Sequence, residues 1–437
     1  MLVRLFGRNF RSLKAAFELS MVAADFKREE DRKRGTFEAP ISGMPEPLRL
    51  LRTVAIYGAN GSGKSTVLTA GRALHWLVTT SSAQSKPDGK IPTYQPFLLD
   101  EESRAEPIQL GCDVVYDKAL LRYEITYEAA AILYEVLALF DENGETKLID
   151  RQPSGEVRGD LISRSDANRL YVKGMQPNVA VLSKLAQHGP HDSPESVQPY
   201  YRAIRDATRH EDYSDAAMVQ IKLGDSEQER FADDPRYREW IMRHLIRPAD
   251  VGICDVETRR EAFKLPGFVR EQLAKIGGGD KVPDERSVVS FVHEGRSKQA
   301  IDFADESSGT KKLFNLAGDW WTLANTPVTI LADEMSASLH PRVLDSLIRA
   351  INDGPNDRVR SQLIFATHDT GLLENHDGLP PALRRDQVYF TKKDSQGASE
   401  LYSLTEFKDE ARTVHNIRKR YLSGLYGAIP SAERLSL

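Results

Sequence analysis

Residues 58 to 65 read Gly58-Ala59-Asn60-Gly61-Ser62-Gly63-Lys64-Ser65 and fit the pattern G-x-x-x-x-G-K-[ST] of a phosphate-binding loop. The three glycines let the backbone curl until its N–H groups point at phosphate oxygens, with no Cβ in the way. Residues 52–57 before the loop predict a buried strand, and residues 66–78 after it predict a helix. The N-terminus of that helix would face the phosphates. The sequence therefore predicts a nucleotide-binding unit of strand, loop and helix.

The side chains of this loop suit a nucleotide with its metal ion. Lys64 would reach the β- and γ-phosphates, and the Ser65 hydroxyl would ligate Mg²⁺. The predicted nucleotide contacts of the loop are Gly58, Asn60, Gly61, Gly63, Lys64, Ser65 and Thr66.

The bulk properties are those of a globular protein without a membrane anchor. The chain has 437 residues, enough for two or three compact units. The best candidate for a membrane span, residues 129–140, is too short and contains Glu135. Arginines interrupt the first residues, so we expect no signal peptide.

The cysteine content and the net charge bear on the cellular compartment and on nucleic-acid binding. The two cysteines, Cys112 and Cys254, favour a reducing compartment over a disulfide framework, and we expect a cytoplasmic protein. The net charge of −5 gives no overall nucleic-acid signature. DNA binding stays possible but would require a local basic groove.

The pattern of apolar residues divides the chain into three segments, residues 1–160, 161–284 and 285–437. From 108 to 157 apolar and polar residues alternate, with turn sequences at 116–119 and 141–144, which predicts an antiparallel sheet. From about 165 to 280 the pattern is helical, and strand character returns at 283–303. A single amphipathic helix is predicted at 311–324, before a buried strand at 328–332.

An apolar strand ending in two acids, Thr329-Ile330-Leu331-Ala332-Asp333-Glu334, has the Walker B arrangement. Asp333 would hold the Mg²⁺ shell, and Glu334 would orient or deprotonate the attacking water. Such a strand is common by itself. The phosphate loop upstream makes the interpretation specific.

Two further segments suit the same chemistry. Ser307-Ser308-Gly309 opens the predicted helix at 311, and small hydroxyl residues with a glycine at a helix start form a second anion site. Downstream, a buried strand ends in His368, whose imidazole could hydrogen-bond the γ-phosphate and sense hydrolysis.

In this order of motifs the chain resembles ATP-binding-cassette (ABC) ATPases of the SMC/RecF/OLD-like branch. Asn9-Phe10-Arg11-Ser12 looks like the "NFRS" element of that branch, where the arginine approaches the nucleotide. Gln95 falls where a Q-loop glutamine would contact the metal. Residues 337–340 fall at the D-loop, with His340 in place of the usual aspartate. The implied fold class is α/β, a P-loop NTPase of ABC type with an antiparallel β-subdomain and an inserted helical subdomain.

The closer resemblance is to abortive-infection and phage-defence ATPases, often named AAA-family ATP-binding proteins. Four stretches carry it: residues 306–311, 333–341, 385–390 and the tail 421–430. The similarity spans roughly residues 1–130 and 285–430. It implies ATP and Mg²⁺ as cofactors, and an ATPase that acts as a switch.

In ABC ATPases the phosphate loop of one subunit faces the signature segment of another. The resemblance therefore implies an ATP-sandwiched homodimer or larger assembly, which controls a separately encoded effector in anti-phage defence. The alternative is a RecF-like, DNA-associated ATPase in repair or loading. A transporter subunit is disfavoured by the long insertion and the altered signature.

Other catalytic patterns have weaker support. Arg205 with His210 and Arg238 with His244 fit the spacing of a HEPN ribonuclease, but chance matches at this spacing are expected. A loop at 188–192 contains two histidines without an evident third metal ligand. The segment after His368 is too short for a Toprim nuclease.

Overall fold

The computed structural model describes residues 1–27, 29–189, 191, 196–213, 226–249, 252–262, 285–337, 339–354, 359–376, 378–407 and 417–430. They group into two compact units. The first unit comprises Met1–Asp212, Thr326–Ser336 and Asp345–Leu437, and the second comprises Tyr213–Asn325 and Ala337–Leu344. The predicted division at residues 160 and 284 stays a prediction.

The regular elements are as follows. The strands are β1 (Leu2–Arg8), β2 (Phe17–Ser20), β3 (Thr36–Ala39), β4 (Leu48–Leu51), β5 (Thr53–Gly58), β6 (Ile108–Tyr116), β7 (Ala119–Tyr127), β8 (Ile132–Asp141), β9 (Gly144–Arg151), β10 (Val157–Arg158), β11 (Arg209–Asp212), β12 (Ile253–Ala262), β13 (Glu285–Glu294), β14 (Lys298–Asp302), β15 (Thr329–Asp333), β16 (Gln362–Ala366), β17 (Val388–Lys393) and β18 (Ser399–Ser403). The α-helices are α1 (Glu29–Lys33), α2 (Lys64–Thr79), α3 (Ser81–Gln84), α4 (Glu101–Ala105), α5 (Asp160–Ser163), α6 (Asp166–Val172), α7 (Val181–His188), α8 (Gln198–Ala207), α9 (Ser226–Asp233), α10 (Pro235–Ile241), α11 (Ser308–Asn315), α12 (Ala317–Asn325), α13 (Pro341–Asn352) and α14 (Ile417–Leu422).

An antiparallel sheet forms one layer of the first unit, with strand order β10-β9-β8-β7-β6-β1-β2. Its long strands β6 to β9 connect through tight turns, with Tyr116 paired to Ala119 and Asp141 paired to Gly144. The alternation of buried and half-exposed residues along β7 is the pattern of a sheet with one face against the core. The predicted antiparallel sheet is thus confirmed.

A second, mostly parallel sheet carries the phosphate loop, with strand order β11-β15-β16-β5-β17-β18. Strand β5 lies between β16 and β17 and runs parallel to both, so every residue of β5 is buried. Strands buried on both faces are read as continuous apolar runs, which is why sequence identified β5, β15 and β16. Strands β17 and β18 pair antiparallel at one end of this sheet.

Helix α2 shares one hydrophobic core with both sheets of the first unit. The buried residues Val67, Leu74 and Leu77 of α2 belong to the same cluster as residues of the antiparallel sheet and of β5, β15 and β16. The approach to β15 is close, because a Cβ at Gly71 would lie 2.6 Å from Leu331 Cδ2. The middle of α2 therefore packs closely on the middle of β15.

The second unit contains a three-stranded antiparallel sheet, β12-β13-β14, and helices α9 to α12. Its core is aromatic: the Phe231 and Phe314 rings lie 5.1 Å apart, and Phe291 lies 5.6 Å from Phe314. Two sequence interpretations need correction here. Residues 253–262 form a strand, although they lie in the segment whose apolar pattern predicted helix, because β12 pairs along its length with β13.

The second correction concerns the helix predicted at 311–324, which is two helices, α11 and α12, with Leu316 between them. Gly318 lies in the first turn of α12, and the Glu227 carboxylate occupies the space where a side chain would be, 2.6 Å from the ideal Cβ. Glycine is a poor helix former, which favours a break in the helix here. Within the described part of the chain, no helix is long and apolar enough to cross a bilayer.

Candidate nucleotide site

The phosphate loop joins β5 to α2 and depends on its glycines. Gly61 and Gly63 have φ values of 73° and 111°, in the left-handed region that favours glycine. A Cβ at Gly58 would lie 2.6 Å from the Thr391 carbonyl oxygen, and one at Gly63 would lie 2.5 Å from Ser399 Oγ. The hairpin of β17 and β18 therefore supports the loop from below at a distance that only glycine permits.

The Lys64 side chain curls back over the loop. Its Nζ donates hydrogen bonds to the carbonyl oxygens of Gly58 at 2.9 Å and Ala59 at 3.0 Å. Burial lowers the pKa of the Lys64 ammonium to about 8, and the nearby Asp333 charge opposes that shift. The Lys64 ammonium thus lies against the backbone of the phosphate loop, close enough to Asp333 for their charges to interact.

Asp333 ends β15 and is linked to the helix that follows the phosphate loop. Burial raises the pKa of the Asp333 carboxyl, against a hydrogen bond from the Ser65 hydroxyl, a backbone hydrogen bond from Glu334 and the charge of Lys64. The Glu334 N–H donates to Asp333 Oδ1 at 3.1 Å. Glu334 itself is exposed and turns off the strand in a left-handed conformation, with φ 53°.

His368 follows β16, the strand beside β15, and its side chain is exposed. Partial burial, and then the charge of Lys64, lower the pKa of the His368 imidazole below its usual value. The ring is therefore neutral at pH 7, with one nitrogen that donates and one that accepts. Thr367 Oγ1 and Ser336 Oγ lie 3.2 Å apart and connect the segments that follow β15 and β16.

The turn Asn9-Phe10-Arg11-Ser12 packs against α2 and brings two predicted residues together. Arg11 N donates to the Gln95 carbonyl oxygen at 2.7 Å, and Arg11 Nη1 donates to Thr69 Oγ1 of α2 at 3.3 Å. Ser12 Oγ lies 3.1 Å from Thr66 Oγ1 in the first turn of α2. Arg11 thus lies beside the phosphate-loop helix, and the backbone of Gln95 contacts this turn.

The predicted signature segment belongs to the second unit and opens helix α11. Ser307 caps this helix, because its Oγ accepts a hydrogen bond from Thr310 N at 3.1 Å. Ser308 and Gly309 are the first two helical residues, and Ser308 is exposed. Of the predicted D-loop, Ser338 lies outside the described residues, and His340 Nδ1 accepts from Arg342 N at 3.2 Å at the start of α13.

The donor set of the first unit fits a nucleotide triphosphate with Mg²⁺. A loop that a Cβ would obstruct, the N-terminus of α2 and the Lys64 ammonium provide the donors that phosphate oxygens require. The Ser65 hydroxyl and the Asp333 carboxylate, which lie near each other, are hard oxygen ligands of the kind Mg²⁺ takes beside phosphates. Bound Mg²⁺ would neutralise charge on the β- and γ-phosphates.

Comparison with known proteins agrees with this geometry. The family described as "AAA domain, putative AbiEii toxin, Type IV TA system" matches residues 54–174 and 203–374, about two thirds of the chain. The chain belongs to this family. The match includes the phosphate loop, the Walker B strand and His368, and it confirms the predicted relationship to AAA-family proteins of the abortive-infection type.

No curated protein matches this AAA-domain chain. Solved structures do. An SMC head bound to the C-winged helix domain of ScpA is 13% identical and has a TM-score of 0.42, over 93% of this chain and 99% of that one. An SMC head domain from Thermotoga maritima is 13% identical, with a TM-score of 0.36 over 92% and 98%. An Smc head with an extended coiled coil, bound to the C-terminal domain of ScpA derived from Pyrococcus furiosus, is 15% identical, with a TM-score of 0.40 over 94% and 99%.

Several residues of the AAA-domain site have no signal in a sequence motif. Thr391 Oγ1 lies 2.7 Å from Ser62 Oγ, and Tyr421 of the C-terminal tail hydrogen-bonds the backbone of Gly58. The Tyr421 ring also packs against Tyr57 at 5.7 Å. Sequence indicated the tail only through family resemblance, because aromatic residues at irregular spacing predict no particular partner.

The competing ribonuclease residues have structural roles in this AAA-domain chain. Arg205 pairs with Asp206 at 2.8 Å, and Arg238 donates to backbone carbonyls of α9. His244 packs on Trp240, with ring centroids 4.8 Å apart. His188 ends α7, while Pro190 and Asp192 lie outside the described residues. Within the described ranges, no three His, Cys, Asp or Glu side chains form a cluster that could hold a metal ion by themselves.

Proposed function

We propose that this chain binds ATP with Mg²⁺ and hydrolyses it between two copies of itself. One observation carries the proposal: the phosphate loop follows β5, Asp333 ends β15 and His368 follows β16, so all three lie at the carboxyl ends of adjacent parallel strands. Lys64 would bind the β- and γ-phosphates. Ser65 and Asp333 would hold Mg²⁺, and Glu334 would orient the attacking water. A neutral His368 would hydrogen-bond the γ-phosphate.

The second copy would complete the site with its signature segment. Ser307, Ser308 and Gly309 open a helix and expose hydroxyl and N–H donors that suit a γ-phosphate. They belong to a different compact unit from Lys64 and Asp333. In this proposal ATP joins two protomers, and its hydrolysis releases them. The protein is then a switch governed by the γ-phosphate.

The Glu334→Gln variant tests this assembly. Loss of the carboxylate should leave ATP binding intact and stop hydrolysis, so that ATP holds the variant as a dimer in size-exclusion chromatography with light scattering. ADP should leave it monomeric. Lys64→Ala should bind no ATP and form no dimer, whereas the exposed Lys27→Ala control should behave as wild type. A Glu334→Gln protein that binds ATP and stays monomeric would exclude the shared site.

We further propose that the switch controls a separately encoded effector in anti-phage defence. The family description names a toxin of a toxin–antitoxin system, which is a two-component arrangement and supports a second gene product. Affinity capture of Glu334→Gln from the native host, with ATP and with ADP, should recover a neighbouring gene product in one nucleotide state. Equal recovery of no partner in both states would contradict effector control.

A further inference from the structure

The edge strand of the parallel sheet places a third carboxylate beside the Walker B aspartate. Strand β11 runs parallel to β15, and the register sets Asp212 opposite Asp333. Residues opposite each other in neighbouring parallel strands point to the same face of the sheet, about 5 Å apart at the backbone. The strand bearing Asp333 therefore has β11 on one side and β16, which precedes His368, on the other.

Asp212 and Asp333 therefore lie beside each other at the carboxyl ends of β11 and β15. A cation close to both would be attracted by both negative charges. Ser65, at the start of α2, lies near Asp333 in the same region. The phosphate loop independently marks that region as a nucleotide site.

We propose that Asp212 is a positioning residue of the Mg²⁺ site, which strengthens Mg²⁺ binding beside the nucleotide through its charge and through hydrogen bonds to metal-bound water. This inference rests on the proposed nucleotide function and extends it to a residue outside the recognised motifs. Sequence assigned the additional metal contact to Gln95. The structure pairs Asp212 with Asp333, while the Gln95 contact with the metal stays a prediction; the Gln95 carbonyl oxygen accepts a hydrogen bond from Arg11 N.

The neighbouring Glu211 provides a matched control. It carries the same charge on the same strand, but alternation along a strand points it to the opposite face, where Arg209 Nε donates to it at 2.9 Å. Removal of its charge should therefore leave the metal site unchanged. Asp212→Asn keeps the shape of the side chain, and Asp212→Glu keeps the charge.

The test uses Mn²⁺ as the metal probe on the full chain. Free Mn²⁺ is measured by electron paramagnetic resonance during titration with saturating ADP, and fluorescent ATP affinity is measured separately with EDTA. Asp212→Asn should weaken Mn²⁺ binding about tenfold, as loss of an outer metal contact does, with unchanged nucleotide affinity in EDTA. Asp212→Glu should restore most of the Mn²⁺ affinity, and Glu211→Gln should match wild type.

Each outcome is decisive. Equal Mn²⁺ affinity in Asp212→Asn and Glu211→Gln would overturn the role of Asp212 while leaving the nucleotide function in place. Failure of wild type to bind nucleotide would overturn the proposed function itself, and this inference with it. Loss of nucleotide affinity in EDTA in Asp212→Asn would show a folding role and would also contradict the proposal.

Discussion

Three non-glycine residues at the candidate site have a left-handed backbone. Asn9, Arg11 and Glu334 have φ values of 53°, 51° and 53°. Such residues typically cost about 1–3 kcal/mol each and concentrate at functional sites. At Glu334 the conformation separates two adjacent carboxylates, because Asp333 ends the strand while Glu334 turns away from it. The sequence identifies the two acidic residues but not that their side chains point in different directions, because a glutamate does not indicate a backbone with positive φ.

The glycines of the phosphate loop should respond differently to alanine. Gly61 has positive φ but no atom within 4 Å of an ideal Cβ, whereas a Cβ at Gly58 would collide with the Thr391 backbone. Gly61→Ala should lower the free energy of unfolding by about 1–2 kcal/mol through its backbone conformation alone. Gly58→Ala should cost about 3 kcal/mol, since β17 must shift. Denaturant unfolding without nucleotide measures both, and equal losses would contradict the close contact.

At the scale of elements, the predictable parts are those whose pattern is local. The strand–loop–helix of the phosphate site and the tight turns of the antiparallel sheet follow from residues adjacent in the chain. Strand β11 does not, because Arg209-His210-Glu211-Asp212 has no apolar alternation and is a strand only through its hydrogen bonds to β15. The placement of Asp212 could not be read from sequence for this reason.

Helix α14 likewise takes its place from distant partners. Arg418 Nη1 donates to Glu374 Oε2 at 2.5 Å, and Arg418 Nε donates to Thr370 Oγ1 at 3.1 Å. Both partners follow His368 in the chain. Since Tyr421 of the same helix bonds Gly58, the tail touches the phosphate loop and the segment after the histidine. Sequence could not predict the pairing of Arg418 with Glu374, because the two residues are far apart in the chain.

Helix α7 is anchored by a buried carboxylate that sequence analysis used only to exclude a membrane span. Glu135 accepts hydrogen bonds from Val181 N at 2.7 Å, Leu182 N at 2.9 Å and the Tyr123 hydroxyl at 3.0 Å. Both oxygens accept, so an amide would turn an N–H₂ group towards a donor. Glu135→Gln should therefore lower the free energy of unfolding by about 2 kcal/mol.

The control for this prediction is Glu142→Gln in the exposed turn between β8 and β9. It should change stability by less than about 0.5 kcal/mol, as surface substitutions usually do. Chemical unfolding followed by circular dichroism compares the two variants. Equal stability would show that the contacts of Glu135 do not hold α7.

At the scale of the whole molecule, the recognised motifs are divided between two compact units. The phosphate loop, Asp333 and His368 belong to the first, and Ser307 to Gly309 belong to the second. The order of these motifs could be predicted, because each motif is a short stretch of consecutive residues. The number of protein chains that form one nucleotide site could not be predicted, because it depends on surfaces built from residues far apart in the chain.

A mixing experiment tests whether the site is shared. Lys64→Ala and Ser308→Glu should each be inactive alone. In a mixed dimer, one site combines the intact phosphate loop of the Ser308→Glu chain with the intact signature segment of the Lys64→Ala chain. Equal amounts should therefore recover at most about half of wild-type ATPase activity, because each mixed dimer has one intact site of two. No recovery on mixing would favour a site complete within one chain.

The carbonyl oxygens of Gly58 and Ala59 accept hydrogen bonds from the Lys64 ammonium. A polyphosphate that binds in the loop would therefore compete with these two oxygens for the lysine. Phosphate binding would thus exchange the hydrogen-bond acceptors of Lys64 instead of only adding new contacts. If the bound nucleotide is hydrolysed, Lys64 would regain these two acceptors as the product leaves, which would favour product release.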